Sequence, residues 1–307
     1  MTARAGVVLS GTGGIWRVQL APGEVVDASL RGRLKQDRNE QLKLAVGDEV
    51  EVEPGSHADW SIREIRPRRS RLARRSPGGS HAERVLVANV DQVIVMFAAT
   101  KPEPHTRMLD RFLVIAEANH IPARIVINKI ELVDRDATTK KFAPYQRAGY
   151  EVYHTSVKQR IGLEAIHETF AGRVSVLTGP SGVGKSSLMN SAFPGANLRV
   201  GEISESVQKG RHTTVGAVML PLPGDEGGFV ADTPGLREVG LSSLPADRLD
   251  LCFPELRALV DRCRFGDCRH VAEPECAVRA AVEQGDVDRD RYESYCRLLA
   301  DLDAGID

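Results

Sequence analysis

The segment Gly179-Pro180-Ser181-Gly182-Val183-Gly184-Lys185-Ser186 constrains this chain more than any other. It satisfies G-x-x-x-x-G-K-[ST] at every fixed position. The apolar run Arg173-Val174-Ser175-Val176-Leu177-Thr178 reads as a buried strand entering it, and Ser187-Leu188-Met189-Asn190 as a helix leaving it. Glycines let successive backbone N–H groups turn inward around a phosphate, and the helix N-terminus adds a favourable dipole. In that geometry Lys185 reaches the β- and γ-phosphates, and the Ser186 hydroxyl ligates Mg2+. Residues 179–187 are therefore expected to bind a nucleoside triphosphate. The pattern does not say which base.

At 307 residues the chain has room for two or three domains. An apolar fraction of 42% supports ordinary cores, and a formal net charge of −1 points to no partner by itself. No apolar run reaches the ~20 residues of a membrane span, and the N-terminus lacks the apolar core of a signal peptide. The expectation is a cytoplasmic protein with no membrane partner, in which five cysteines favour metal or free thiols over disulfides.

Residues 1–84 read as all-β. Val7-Val8-Leu9 and Ile15-Trp16-Arg17-Val18-Gln19-Leu20 bracket Ser10-Gly11-Thr12-Gly13-Gly14, a hairpin signal. Val25-Val26-Asp27-Ala28-Ser29-Leu30, Glu49-Val50-Glu51-Val52-Glu53 and Ser61-Ile62-Arg63-Glu64-Ile65 complete five short strands. Such a set suits a small barrel of the oligonucleotide-binding type, with a generic β-domain as the alternative. Residues 63–75 then hold seven arginines, with only Glu64 opposing them locally. A block like this suits a nucleic acid backbone, or is a solvated basic tether. Ser76-Pro77-Gly78-Gly79-Ser80-His81 reads as a linker.

From residue 85 strands and helices alternate. Val90-Asp91-Gln92-Val93-Ile94-Val95-Met96-Phe97 is an apolar run expected of a strand buried on both faces. Met108, Phe112, Ile115 and Ala116 recur at helical spacing. Ile121-Pro122-Ala123-Arg124-Ile125-Val126-Ile127 ends in Asn128-Lys129-Ile130-Glu131, which resembles the guanine-recognition motif N-K-x-D of GTPases. There the acid accepts from guanine N1–H and N2–H2, a pair adenine cannot make. The Asn meets the purine edge, and the Lys stem lies over the ring. Here the acid is Glu131, with one more methylene than Asp. One strand later, Thr155-Ser156-Val157 resembles the S-A-x turn whose backbone contacts guanine O6, which nominates Ser156 and Val157.

After the phosphate loop, Lys209-Gly210-Arg211-His212-Thr213-Thr214 lies where a switch loop belongs. Thr214, or alternatively Thr213, is the candidate to complete Mg2+ coordination. Asp232-Thr233-Pro234-Gly235 matches D-x-x-G, with Asp232 holding Mg2+ through water and the Gly235 N–H meeting the γ-phosphate. The residue after Gly235 is Leu236, which cannot orient water by hydrogen bonding. His212 is a candidate for that role, or a loop histidine contacting a partner or solvent. The guanine motifs precede the phosphate loop, so the GTPase domain is circularly permuted.

Beyond residue 240 the chain becomes helical and carries Cys263, Cys268, His270 and Cys276, spaced C-x4-C-x-H-x5-C. Three thiolates and an imidazole suit one closed, structural Zn2+ site. Cys252 and Cys296 lie outside it and read as small core residues.

Together these motifs cover essentially the whole chain, which is identified as a member of the ribosome small-subunit-dependent GTPase A family of bacteria. The resemblance rests on residues 128–131, 179–186, 209–214, 232–236 and the Cys263/Cys268/His270/Cys276 cluster; Glu131 departs from the usual Asp. It implies an α/β phosphate-loop GTPase domain (85–240), permuted, between an N-terminal β-barrel with a basic linker (1–84) and a mostly helical zinc domain (241–307). It implies GTP/GDP and Mg2+ as ligands. It also implies a monomeric late assembly factor for the small ribosomal subunit, binding its rRNA and stimulated by it. An RNA-binding module with nucleotide as a structural ligand is the alternative, and a permuted ATPase or small-molecule kinase a third.

Overall fold

A computed structural model describes residues 3–31, 43–55, 60–75, 83–196, 198, 217–232, 241 and 244–306. They fall into two compact units. One comprises Met1–Val93, Glu164–Thr178 and Lys185–Val239, the other Ile94–Leu163, Gly179–Gly184 and Gly240–Asp307. Among the described residues no helix is long and apolar enough to cross a membrane.

The first unit begins with a closed barrel of β1 (Arg4–Thr12), β2 (Ile15–Leu20), β3 (Val25–Leu30), β4 (Glu49–Pro54) and β5 (Trp60–Ile65), ordered β1-β2-β3-β5-β4. Alternation builds it. In β4 the glutamates face outward while Val50 and Val52 are fully buried, and Val8, Val18, Leu20 and Ile62 complete the same core. The β1–β2 connection is tighter than the expected five-residue loop. Strand β1 runs through Thr12, because Gly13 and Gly14, at φ +61° and +86°, supply the left-handed pair of a two-residue turn.

The arginine-rich stretch is neither a free tether nor unopposed. Its last residues form β6 (Arg71–Arg75), antiparallel to β7 (Glu83–Ala88). Arg68 makes a two-pronged pair with the fully buried Asp48, at 2.7 and 2.8 Å. Arg66 meets Glu51 at 3.3 Å and Arg69 meets Asp91 at 2.9 Å. These acids come from the barrel and from the residue before β8, so local sequence hid them. Arg63 and Arg71 are exposed. The linker at 76–81 lies outside the described residues.

The later strands are β8 (Gln92–Ala98), β9 (Ala123–Asn128), β10 (Glu151–His154), β11 (Val174–Thr178), β12 (Val218–Pro221) and β13 (Phe229–Asp232). The β9–β10 and β11–β13 pairs are parallel, and β12 runs antiparallel to β13. Every residue of β8 is buried. Its first side chain, Gln92, is satisfied internally by Thr169 O and Ser175 Oγ, at 2.7 and 2.8 Å.

In the second unit, α1 (Thr106–Ala118) buries Leu109, Phe112, Leu113, Ile115 and Ala116. Met108, expected on that face, is 41% exposed; the buried stripe runs through Leu109 instead. Among the described residues, the remaining α-helices of this unit are α2 (Arg135–Arg147), α5 (Pro254–Arg257), α6 (Ala277–Gln284) and α7 (Arg289–Asp303). The first unit holds α3 (Leu163–Phe170) and α4 (Lys185–Ala192). Helix α7 is pinned by Arg291, whose buried guanidinium bridges Asp110 of α1 at 2.5 Å and Glu255 of α5 at 2.7 Å. The Phe253 and Tyr145 rings pack over it at 4.6 and 5.0 Å.

Candidate functional site

In the second unit the base-recognition residues and the phosphate loop are tied into one piece. Asn128 ends β9 and is 2% exposed. Its Nδ2 donates to Val183 O at 2.9 Å, and its Oδ1 accepts from Thr155 Oγ1 at 3.1 Å. Lys129 adopts a left-handed backbone at φ +62°, and its Nζ donates to Lys101 O and Gly182 O, both at 2.6 Å. The lysine thus spans from the guanine-type motif to the phosphate loop. Thr155 opens the turn that resembles S-A-x, but its bond to Asn128, like the part played by Lys101, emerges only from this hydrogen-bonded set.

Glu131 sits in the single helical turn Ile130–Leu132. Its Oε2 is buried and accepts no hydrogen bond among the described residues. A buried acceptor left unsatisfied costs about 1–3 kcal/mol, more when charged. A ligand N–H pair removes that cost, so this carboxylate fits guanine. The adjoining turn is fastened to the same loop, since Ile130 N donates to Thr155 O at 3.3 Å. Within it, Ser156 N is committed to Ile161 O at 3.1 Å, and Ser156 Oγ accepts from Gln159 N at 3.0 Å. Of the two nominated residues, Val157 has the N–H with no partner among the described residues, and this one can be offered to a base.

The phosphate loop takes the form its glycines predict. Gly179, Gly182 and Gly184 have φ of +136°, +78° and +98°. A Cβ on Gly179 would lie 2.0 Å from Met96 O, and one on Gly184 would lie 2.6 Å from Asn128 Nδ2. Pro180 is half-buried, Ser181 exposed and Val183 fully buried. In the first unit, Lys185 and Ser186 open α4 at 7% and 8% exposure, Ser187 is exposed, and Asp232 closes β13 at 8%. Thr213, Thr214, His212, Gly235 and Leu236 lie outside the described residues.

The Gly179 contact yields a test. Gly179→Ala meets a backbone oxygen that cannot rotate away and adopts a φ few side chains tolerate. It should cost about 3 kcal/mol or more, lowering the melting temperature by roughly 6–12 °C. Gly224 has a similar φ of +122° with nothing within 4 Å of its Cβ position. Gly224→Ala therefore reports backbone strain alone and should cost clearly less. Equal shifts in thermal melts would show that the Met96 contact is unimportant.

Within the second unit, Cys263, Cys268, His270 and Cys276 each offer one donor atom, all within 4.8 Å of one another. Cys263 Sγ and Cys276 Sγ are 4.0 Å apart, and His270 Nδ1 lies 3.5 and 3.4 Å from them. A tetrahedral ion with metal–sulfur bonds of ~2.3 Å sets its sulfurs ~3.8 Å apart, so the donor set fits such an ion. The backbone turns back at His270 and Glu275, with φ of +60° and +55°. Between the ligands, Glu273 accepts from the N–H groups of Arg269, Val271 and Ala272 at 2.9–3.0 Å. Burial opposes its charge, but these bonds prevail and hold its carboxyl down to about 2.

A family model described as RsgA GTPase matches residues 65–242. The chain belongs to this family. It is 57% identical over 303 residues to the small ribosomal subunit biogenesis GTPase RsgA of Gemmatimonas aurantiaca, covering 98% of both chains. It is 36% identical to the Bacteroides fragilis protein of the same description, covering 98% of this chain and 97% of that one. Among solved structures, YjeQ from Thermotoga maritima superposes with a TM-score of 0.80 at 34% identity, covering 98% of this chain and 99% of that one. YloQ, described as a circularly permuted GTPase, superposes at 0.76 and 27% identity, over 100% and 97%. The RsgA-family chain described here is thus a circularly permuted GTPase with an N-terminal five-stranded barrel and a C-terminal Cys3His cluster that could bind a metal ion.

Proposed function

We propose that this GTPase acts as a late maturation factor of the small ribosomal subunit, docking there, hydrolysing GTP, and leaving when its switch segments relax. The observation that carries the nucleotide part is the buried, unpartnered Glu131 Oε2, built into the same hydrogen-bonded set as the phosphate loop. The names of relatives similar over nearly the whole chain support the ribosomal part. In this reading Asn128, Lys129, Glu131, Ser156 and Val157 form the base site. Glu131 accepts from N1–H and N2–H2, and the Val157 N–H faces O6. Residues 179–187 wrap the phosphates and Lys185 neutralises the β- and γ-oxygens. Thr213, Thr214 and Gly235 would close over the γ-phosphate, which water attacks in line. Ser186, Thr214 and Asp232 would hold Mg2+, whose charge stabilises the transferring phosphoryl group. His212 is the candidate for orienting the water.

Cys263, Cys268, His270 and Cys276 would hold one structural Zn2+. The barrel of residues 1–84, with exposed Arg63 and Arg71, and the helical segment 241–307 would contact rRNA on either side of the nucleotide-binding residues 85–240. The protein would act as a cytoplasmic monomer. The test is hydrolysis of GTP and of ATP, with and without purified small subunits, for the wild type and His212→Ala. Strong stimulation confined to GTP is the expected result. Hydrolysis indifferent to subunits would overturn the maturation reading in favour of nucleotide as a structural ligand. An unchanged His212→Ala rate would remove that residue from the mechanism.

A further inference from the structure

The cluster of four metal ligands has a fifth partner that no ligand spacing contains. His270 is 1% exposed, and its two ring nitrogens face in different directions. Nδ1 lies among the thiols, 3.5 Å from Cys263 Sγ and 3.4 Å from Cys276 Sγ. Nε2 lies 3.3 Å from Asp250 Oδ2. Asp250 stands thirteen residues before the first cysteine, on the turn Asp250–Cys252 that leads into α5. We propose that Asp250 is the positioning carboxylate of the metal centre, accepting the Nε2 proton of His270 so that Nδ1 presents its lone pair to the ion. The inference rests on the Zn2+ reading of the cluster.

Three observations make this an arrangement rather than a passing contact. Asp250 Oδ1 accepts from Leu251 N at 2.8 Å, which leaves Oδ2 directed at the ring. Leu249 and Phe253 on either side are fully buried, so the turn cannot slide. The backbone of the histidine is held from α7: Tyr292 Oη donates to His270 O at 2.7 Å, and Tyr295 Oη donates to Arg269 O at 2.9 Å. With the left-handed backbone at His270 fixed, the ring has little freedom beyond rotation about χ2. A carboxylate on the far nitrogen removes that freedom and settles the tautomer, the two tasks such outer partners perform at metal histidines.

The position of Asp250 adds a consequence. The same segment carries Glu255, which holds Arg291, which in turn pairs with Asp110 of α1. Metal loading and the seating of residues 249–257 against α1 are then linked through one aspartate, and each favours the other.

The experiment uses the full chain. Zn2+ content of the purified wild type is measured first. Affinity is then obtained by competition with a chromophoric chelator for the wild type, Asp250→Asn and, as control, Asp247→Asn on the exposed side of the preceding turn. Asp250→Asn should bind Zn2+ about 10–100-fold more weakly, while the metal-free forms melt together and Asp247→Asn matches the wild type. Affinity within about twofold of wild type would overturn the assignment of Asp250. A wild type that takes up no Zn2+ would overturn instead the metal reading on which it rests. Should Asp250→Asn not fold, Asp250→Glu, which displaces the carboxylate by one methylene, is held to the same criterion.

Discussion

Glu131→Gln should lower GTP affinity by about 10²-fold or more while raising affinity for xanthosine triphosphate. Hydrogen bonds to a charged partner contribute about 1.5–3 kcal/mol each, and in the proposed base site the Glu131 carboxylate accepts from both guanine donors. The glutamine keeps one oxygen for N1–H but presents an amide N–H2 to the guanine 2-amino group, setting donor against donor. Xanthine has a carbonyl at C2 and retains N1–H, so it matches the glutamine where guanine does not. The buried environment sharpens the effect, because Oε2 has no alternative partner among the described residues, and mispairing cannot be relieved by a neighbour. Competition between the two nucleotides against a fluorescent GDP analogue measures both affinities. A variant that still prefers GTP by the wild-type margin would mean that Glu131 does not read the base, and that the extra methylene relative to Asp has moved the carboxylate out of reach. Glu131→Asp separates these cases: if the reach is set by the backbone turn at Lys129, shortening the side chain should weaken GTP without admitting xanthine.

That residue also shows what a sequence can and cannot convey. The phosphate loop, Asn128-Lys129-Ile130-Glu131 and the four candidate metal ligands are legible because their chemistry demands fixed residue types at fixed spacing along a short stretch. The barrel is legible for a different reason: one buried face forces a period of two, as in Glu49-Val50-Glu51-Val52-Glu53. What stays hidden is pairing over distance. The buried Asp48 that neutralises Arg68 lies twenty residues from it, so the arginine run reads as more open than it is. Strand β6 has no alternation, because its pairing with β7 shifts register between Leu72 and Ala73, and both of these neighbours are buried. On α1, the choice between Met108 and Leu109 for the buried stripe is a rotation of one residue that neighbouring elements decide. The bond from Thr155 to Asn128 and the contact of Asp250 with His270 are invisible for the same reason: each orients another side chain, a role that imposes no spacing.

Removing the metal should lower the melting temperature of the full chain by more than the loss of any single side chain described above. In small zinc-dependent peptides, metal binding contributes about 10–16 kcal/mol of folding free energy. The C-terminal segment buries Leu249, Phe253, Leu256, Val278, Tyr295 and Leu299 and is tied to α1 through Arg291, so only part of that should be lost. Even a third of it, ~4 kcal/mol, corresponds to roughly 8–16 °C. The reason for expecting so much lies in how many contacts converge on the ligand loop. Cys276 is both a proposed ligand and a helix cap, its Sγ accepting from Arg279 N at 3.5 Å. Tyr292 and Tyr295 fasten α7 to the backbone at 269–270, and Arg269 pairs with Asp303 at the far end of that helix, at 2.7 and 2.8 Å. If the loop opens, α6 loses its cap and α7 its anchors together. Cys276→Ala, which removes ligand and cap together, should therefore be worse than Cys263→Ala, which removes a thiol alone, whereas Cys252→Ser, outside the cluster, should leave metal content unchanged. Melts in the presence and absence of a strong chelator, with metal content measured on each sample, decide the matter. A shift below about 2 °C would show that packing around Arg291 and Phe253 holds the segment without the ion.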